Sequence, residues 1–233
     1  MIATLDQPSQ EEESMDAPEL DAAVYATVLR DLTRLNVWTF AARPTLSFLS
    51  RALEGRDQFR LLDVGFGHGD MLRTIERWAH RRGIKADLVG IDLNPASEPI
   101  ARGATGPSSV IEYRTGDYTD HLGDGYDVVI SSLVAHHMST TQLADFLRNM
   151  ELHARIGWLV NDLHRHHAAY ALFPFLAKLL QVHPIVRHDG RLSIARSLRP
   201  SEWSERLADV DLNAESVRIV RYFPFRLCVE RIR

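Results

Sequence analysis

The sequence predicts an α/β fold: a doubly wound, mostly parallel seven-stranded sheet finished by a C-terminal antiparallel hairpin. Three observations carry the prediction. Short apolar runs at 60–64, 87–91, 110–114, 126–131 and 156–161 lack the polar alternation of half-exposed strands, so they read as strands covered on both faces. Amphipathic stretches at 71–82, 95–102 and 140–153 separate them, and this alternation builds a parallel sheet with right-handed crossovers. Finally, the strand candidates 216–222 and 225–232 are separated only by Phe223 and Pro224, which suggests an antiparallel pair.

Each segment follows in chain order. Residues 1–20 are polar, acidic and aperiodic and read as a disordered tail. Seven acids and no Lys or Arg lie before Ala22; without them the chain holds 27 basic against 24 acidic residues, so the overall charge of -4 belongs to the tail. Apolar residues at helical spacing (Val24, Val28, Leu32, Leu35, then Leu46, Leu49 and Leu53 after Pro44) predict two helices ending near Gly55. They form an N-terminal helical cap over 21–55. The central core spans 57–165. Within it Gly83 stops one helix, and Ser139 with Gln142 forms a capping box for another. An apolar helix-like segment follows at 168–182, then a turn at 187–190, within a lid insertion over 166–200. A helix at 200–207 and the hairpin complete a single domain, 21–233, with its last portion at 201–233.

Composition narrows the function classes. Hydrophobic residues at 45% and charged residues at 25% describe an ordinary globule. Cys228 is the only cysteine, so an intramolecular disulfide is impossible and a reducing, cytoplasmic setting is expected. No apolar run approaches the ~20 residues of a membrane span, and the N-terminus lacks a signal-peptide pattern. The basic residues are too scattered for a nucleic-acid footprint. Monomer and homodimer both remain open.

The chemistry concentrates in 61–72, LLDVGFGHGDML, where an apolar strand runs into Gly65-Phe66-Gly67-His68-Gly69 and a helix begins near Asp70. Glycines after the first strand let the backbone turn sharply and approach a ligand, beside a helix N-terminus that favours anionic groups. A dinucleotide fingerprint would want Gly or Ala at position 70, where Asp70 stands; Asp63 instead completes D-x-G-x-G-x-G. Asp92, 23 residues past Gly69 in VGIDLNP, is placed to accept from both hydroxyls of a ribose. Gly116-Asp117-Tyr118 follows the third strand, where a carboxylate can meet an adenine amino group.

Together these segments resemble the class I S-adenosylmethionine-dependent methyltransferases over roughly 57–165, with weaker similarity at the hairpin. The resemblance implies that Asp63, Gly65, Phe66, Gly67 and Gly69 surround the methionine part of S-adenosylmethionine. It implies that Asp92 holds the ribose, and that Leu93, Asp117 and Tyr118 flank the adenine. The segment 127–138, DVVISSLVAHHM, resembles the ubiquinone and menaquinone methyltransferase group, with Ala135 replacing a leucine. By that likeness Ser132 and Leu133 border the methionine end, and His136 and His137 lie where acceptor and cofactor meet.

Methyl transfer from a sulfonium is an in-line displacement, so an enzyme must align the acceptor and, for a hydroxyl, help remove its proton. Histidine suits that work, which makes His136 and His137 the catalytic candidates; the competing reading is a strand-end or loop-supporting role. Beyond strand five, Asp162 and His164 are expected to border the acceptor pocket. His164, His166 and His167 would diverge on a helix, so no metal is expected. Arg43 is a candidate partner for the cofactor's carboxylate and Tyr25 a residue closing over the site, with a surface or interhelix role the alternative for each. The apolar, aromatic segment at 168–182 favours an apolar or aromatic acceptor. The expectation is O-methylation of a small molecule. The competing readings are a nicotinamide-dependent oxidoreductase and a non-catalytic cofactor-binding protein.

Overall fold

A computed structural model describes residues 5–212 and 215–233. Seven strands form one sheet in the order β3-β2-β1-β4-β5-β7-β6. These are β1 (Gln58–Val64), β2 (Lys85–Asp92), β3 (Glu112–Thr115), β4 (Val128–Ser132), β5 (Gly157–Leu163), β6 (Arg218–Tyr222) and β7 (Arg226–Ile232). β1 to β5 pair in parallel, whereas β7 runs antiparallel to both β5 and β6, as the hairpin spacing predicted. The order reverses between β1 and β4, and that switch point opens a crevice at the carboxyl ends of the strands.

Helices cover both faces. α2 (Ala42–Ala52), α3 (Asp70–Arg82) and α4 (Ser97–Gly103) lie on one, where Phe48, Leu49, Leu72, Ile75 and Trp78 pack against Leu61, Leu88 and Val128. α5 (Thr140–His153) and α8 (Pro200–Ala208) lie on the other, packing Phe146, Leu147 and Trp203 against Leu62, Val129 and Trp158. The capping box of Ser139 and Gln142 is present at the start of α5. α1 (Ala22–Trp38), α6 (His167–Leu179) and α7 (Pro184–Arg196) form a third cluster above the strand ends, around Val28, Ala177, Val182 and Val186. Among the described residues no helix is long and apolar enough to cross a membrane.

Two expectations need correction. Residues 1–4 lie outside the described residues, but 5–20 are not a tail outside the fold. Leu5 and Glu13 are buried. Ser9 N–H donates to Ala195 O at 3.0 Å, and Met15 N–H donates to Asp189 Oδ2 at 2.9 Å. Arg165, itself buried, donates to the carbonyls of Leu5 and Asp6. The segment straps across α7 because its partners, 159 to 186 positions away, satisfy a backbone that no local apolar pattern could bury.

The turn expected at 187–190 is the middle of α7, which begins at Pro184 behind the His183 cap. Gly190 is there for contact with α6: a Cβ would stand 2.1 Å from Phe173 Cζ. It admits an aromatic ring and does not end the helix.

Candidate active site

The crevice at the switch point is a cleft of about 550 Å³. The turn after β1 forms its floor. Gly65 adopts φ +78°, and a Cβ there would meet Val134 Cγ2 at 2.4 Å, so only glycine fits between the β1 turn and the loop after β4. Gly67 N–H donates to Asp92 Oδ2 at 2.8 Å, and Asn94 N–H donates to Asp92 Oδ1 at 2.9 Å. Asp92 at the tip of β2 thus clamps the glycine turn in place. Burial raises its carboxyl, and these two N–H groups oppose the shift.

Asp63, one residue from the end of β1, is 1% exposed, and its Oδ1 has no hydrogen-bond partner. Burial, reinforced by the carboxylates of Asp70 and Asp92, pushes it up to about 8. At the other end of the cleft Leu93 stands exposed. Asp117 Oδ1 accepts from Thr119 N–H at 2.9 Å, and Asn149 Nδ2 donates to the Tyr118 hydroxyl at 3.2 Å. Tyr25 reaches in from α1 and shares a 3.0 Å hydrogen bond with Ser97 Oγ; burial, with the nearby Asp92 charge, raises its hydroxyl to about 12.

A second cavity, about 260 Å³, lies under the lid helices and is walled mainly by apolar side chains of α1, α6 and α7. The two spaces share Met15, Leu32, Asn36, Leu133 and His137. Leu133 adopts φ +62°, unusual for a branched side chain, and its N–H is held by Asn161 O at 2.9 Å. A strained residue therefore stands in the partition between the two cavities.

A charged network backs that partition. His136 is buried between two carboxylates: Nδ1 lies 2.7 Å from Asp162 Oδ1, and Nε2 lies 3.5 Å from Glu13 Oε1. Asp162 Oδ2 also accepts the His136 backbone N–H at 2.9 Å. Burial alone would lower the imidazole, but Asp162 and Glu13 outweigh it and raise His136 to about 9. His137 is more accessible. Its Nδ1 lies 2.8 Å from Asp16 Oδ2, its Nε2 lies 3.8 Å from Glu13 Oε2, and its ring sits 4.3 Å from that of His136. Burial opposes ionisation of Asp16, yet His137 and Arg196 hold its carboxyl below the usual range.

Of the residues expected at the cofactor, Asp63, Gly65, Phe66, Gly67, Asp92, Leu93, Asp117, Tyr118 and Ser132 line the cleft. Gly69 sits behind it at the start of α3. Arg43 does not reach it: on α2 it lines a separate groove with Met71 and Trp78, because the helix turns that face toward α3. Tyr25 borders this cleft and not the second cavity. Asp162 lies behind His136 with its oxygens engaged, and His164 makes a tilted ring contact with His166, centroids 5.5 Å apart, outside the cavity wall. Both are corrected as pocket residues. His164, His166 and His167 do not converge; the donor atoms that do, within 4.8 Å of one another, belong to Glu13, His136 and His137. Glu13, Asp16 and Arg226 were missed. The first two lie in a segment with no pattern to betray them, and Arg226 begins a strand whose neighbours are apolar.

Residues 62–157 match the family described as Methyltransferase domain. No curated protein matches the chain. Human N-acetylserotonin methyltransferase, solved with S-adenosylmethionine, superposes with a TM-score of 0.63 at 13% identity, covering 91% of this chain and 56% of that one. The plantazolicin methyltransferase BpumL, solved with S-adenosylhomocysteine, gives 0.64 at 15% identity over 90% of this chain and 95% of its own. The mitomycin 7-O-methyltransferase MmcR gives 0.56 at 20% identity, covering 84% and 54%. The chain thus spans little more than half of the human enzyme and MmcR but nearly all of BpumL. The likeness to the ubiquinone and menaquinone group does not extend into these comparisons. The matched segment contains the glycine turn, Asp92, Asp117 and the histidine pair at the switch point of the sheet, so residues 62–157 carry a methyltransferase domain, in a fold shared with methyltransferases solved with S-adenosylmethionine or S-adenosylhomocysteine.

Proposed function

We propose that the protein methylates an oxygen of a small, largely apolar or aromatic acceptor held in the cavity beneath the lid. One observation carries the reading: the cofactor cleft and the apolar cavity meet at a partition that contains His137. S-adenosylmethionine, when bound, supplies an electrophilic methyl group. The cleft fits it on a feature of its own, since the buried, unpartnered Asp63 Oδ1 calls for a cationic donor such as an amino-acid ammonium. Gly65, Phe66 and Gly67 form the wall beside it, with Ser132 across the cleft, while Asp92 accepts from ribose hydroxyls. Leu93, Asp117 and Tyr118 enclose the adenine, and Tyr25 closes the side near Asp92.

His137 serves as the proton acceptor. Asp16 fixes the tautomer with the proton on Nδ1, leaving Nε2 to take the acceptor's hydroxyl proton beside Glu13, and both carboxylates stabilise the imidazolium that forms. His136, with both ring nitrogens engaged, is a positioning residue. The lone buried Cys228 suits a reducing cytoplasm.

Two measurements test this. Calorimetry with S-adenosylhomocysteine should show binding that Asp92→Ala largely abolishes; unchanged binding would remove the ribose role. Transfer of labelled methyl groups to a panel of phenols and aryl carboxylic acids should fall roughly 100-fold in His137→Ala with cofactor affinity intact. Full turnover in that variant would show that alignment alone suffices.

A further inference from the structure

The wall of the acceptor cavity contains one charge that the protein does not satisfy. Arg226, the first residue of β7, is 3% exposed, and its Nε and Nη1 have no hydrogen-bond partner. Its single side-chain bond runs from Nη2 to Thr39 Oγ1 at 3.3 Å. The other charged groups on this wall are accommodated. Glu13 accepts from Ser193 Oγ at 2.8 Å, and Asp189 Oδ2 accepts from Met15 N–H at 2.9 Å. Arg226 is the only Arg or Lys among the described residues lining the cavity, and its chain neighbours Pro224 and Phe225 and its register partner Leu163 line the cavity with it. Its backbone is fixed by antiparallel pairing opposite Leu163, and the residue is enclosed there.

A buried guanidinium remains protonated and is costly to leave unpaired, while its planar fork matches a carboxylate through two parallel N–H···O bonds. We propose that Arg226 is an anion subsite of the acceptor cavity, and that the acceptor is an apolar molecule bearing a carboxylate which this fork holds. The inference rests on reading this cavity as the acceptor's. Nη2 keeps one N–H beyond its bond to Thr39, and this completes a two-donor edge with the unpartnered Nε or with the unpartnered Nη1, so a bidentate contact is open, and the apolar remainder of the cavity takes the hydrocarbon part. Burial lowers the guanidinium's pKa with the Asp162 charge opposing, in line with a cation that lacks a close partner.

The test uses the full chain saturated with S-adenosylhomocysteine and two probes of the same shape, 4-pentylbenzoate and 4-pentylbenzamide, titrated calorimetrically. The benzoate should bind at least about tenfold tighter, and Arg226→Met should erase the difference. In the absence of probe, Arg226→Met should melt at the same temperature as wild type or higher, because it removes an uncompensated buried charge. Equal affinity of the two probes, or no benzoate binding up to millimolar concentration, overturns the proposal. So does a large loss of melting temperature in Arg226→Met, which would make the guanidinium structural. Loss of S-adenosylhomocysteine affinity with probe discrimination retained would instead assign the fork to the cofactor's carboxylate. If wild type fails to bind S-adenosylhomocysteine, the methyltransfer reading fails, and the benzoate–benzamide comparison on the unloaded protein still decides the subsite.

Discussion

Asp162→Asn probes the network behind the partition. In wild type the Asp162 carboxylate accepts three hydrogen bonds, from His136 Nδ1 at 2.7 Å, His136 N–H at 2.9 Å and Leu163 N–H at 2.7 Å. An amide of the same shape turns one acceptor into a donor facing N–H groups and leaves a buried imidazolium with Glu13 alone. Breaking a buried pair in this way costs about 3–5 kcal/mol. For a chain of this size that lowers Tm by roughly 10 °C. The cost should also depend on pH, with a definite sign. His136 is raised from 6.5 to about 9, so its contribution is fully present below pH 6.5 and is lost as pH rises through 9. A shift of that size corresponds to on the order of 3 kcal/mol. Denaturant unfolding of wild type and variant between pH 6 and pH 10 should therefore show a gap that is widest near pH 6 and narrows on the alkaline side. A residue remains from the backbone bonds. Two parallel pH profiles, or a variant as stable as wild type, would refute the assignment of His136 as a charged hub.

Other outcomes follow from individual contacts. Asp63→Asn should raise the Tm of the ligand-free protein by a few degrees at pH 7, since burial places the wild-type carboxyl near 8 and its ionisation destabilises the fold increasingly above the unfolded value of 3.8. The same change should weaken S-adenosylhomocysteine binding by about tenfold or more, measured by calorimetry. Gly190→Ala places a Cβ 2.1 Å from Phe173 Cζ and should cost about 1–3 kcal/mol despite alanine's better helix propensity; Phe173→Leu in the same chain should restore part of it. Glu13→Gln, which weakens the strap at Ser193 and His136, should speed proteolysis of the N-terminal segment and lower turnover while leaving cofactor affinity unchanged.

The cofactor half of the site was legible because its chemistry is local. A glycine turn after a buried strand, and single acids at the tips of neighbouring strands, are set by chain order and by parallel topology. Asp63, Gly65, Asp92 and Asp117 accordingly line one cleft. The cavity beneath α6 and α7 is built from distant pieces. Arg43 was misassigned because spacing puts it on a helix without saying which neighbour that helix turns it toward. Gly190 read as a turn because a sequence does not show that an aromatic ring occupies the missing side chain's place.

The largest revision concerns the acidic N-terminal stretch. Its composition predicted a disordered tail, since charged residues without an apolar period bury too little surface to fold alone. Only the tertiary structure supplied Arg165, Arg196 and Ser193 as partners, which draw Glu13 and Asp16 into contact with the histidine pair. The sequence alone thus determined the sheet, its glycine turn and the cofactor. Packing decided which histidine is enclosed between carboxylates and which stays accessible, and left Arg226 with two buried nitrogens unpartnered, because burial and pairing depend on residues that meet only in the folded chain.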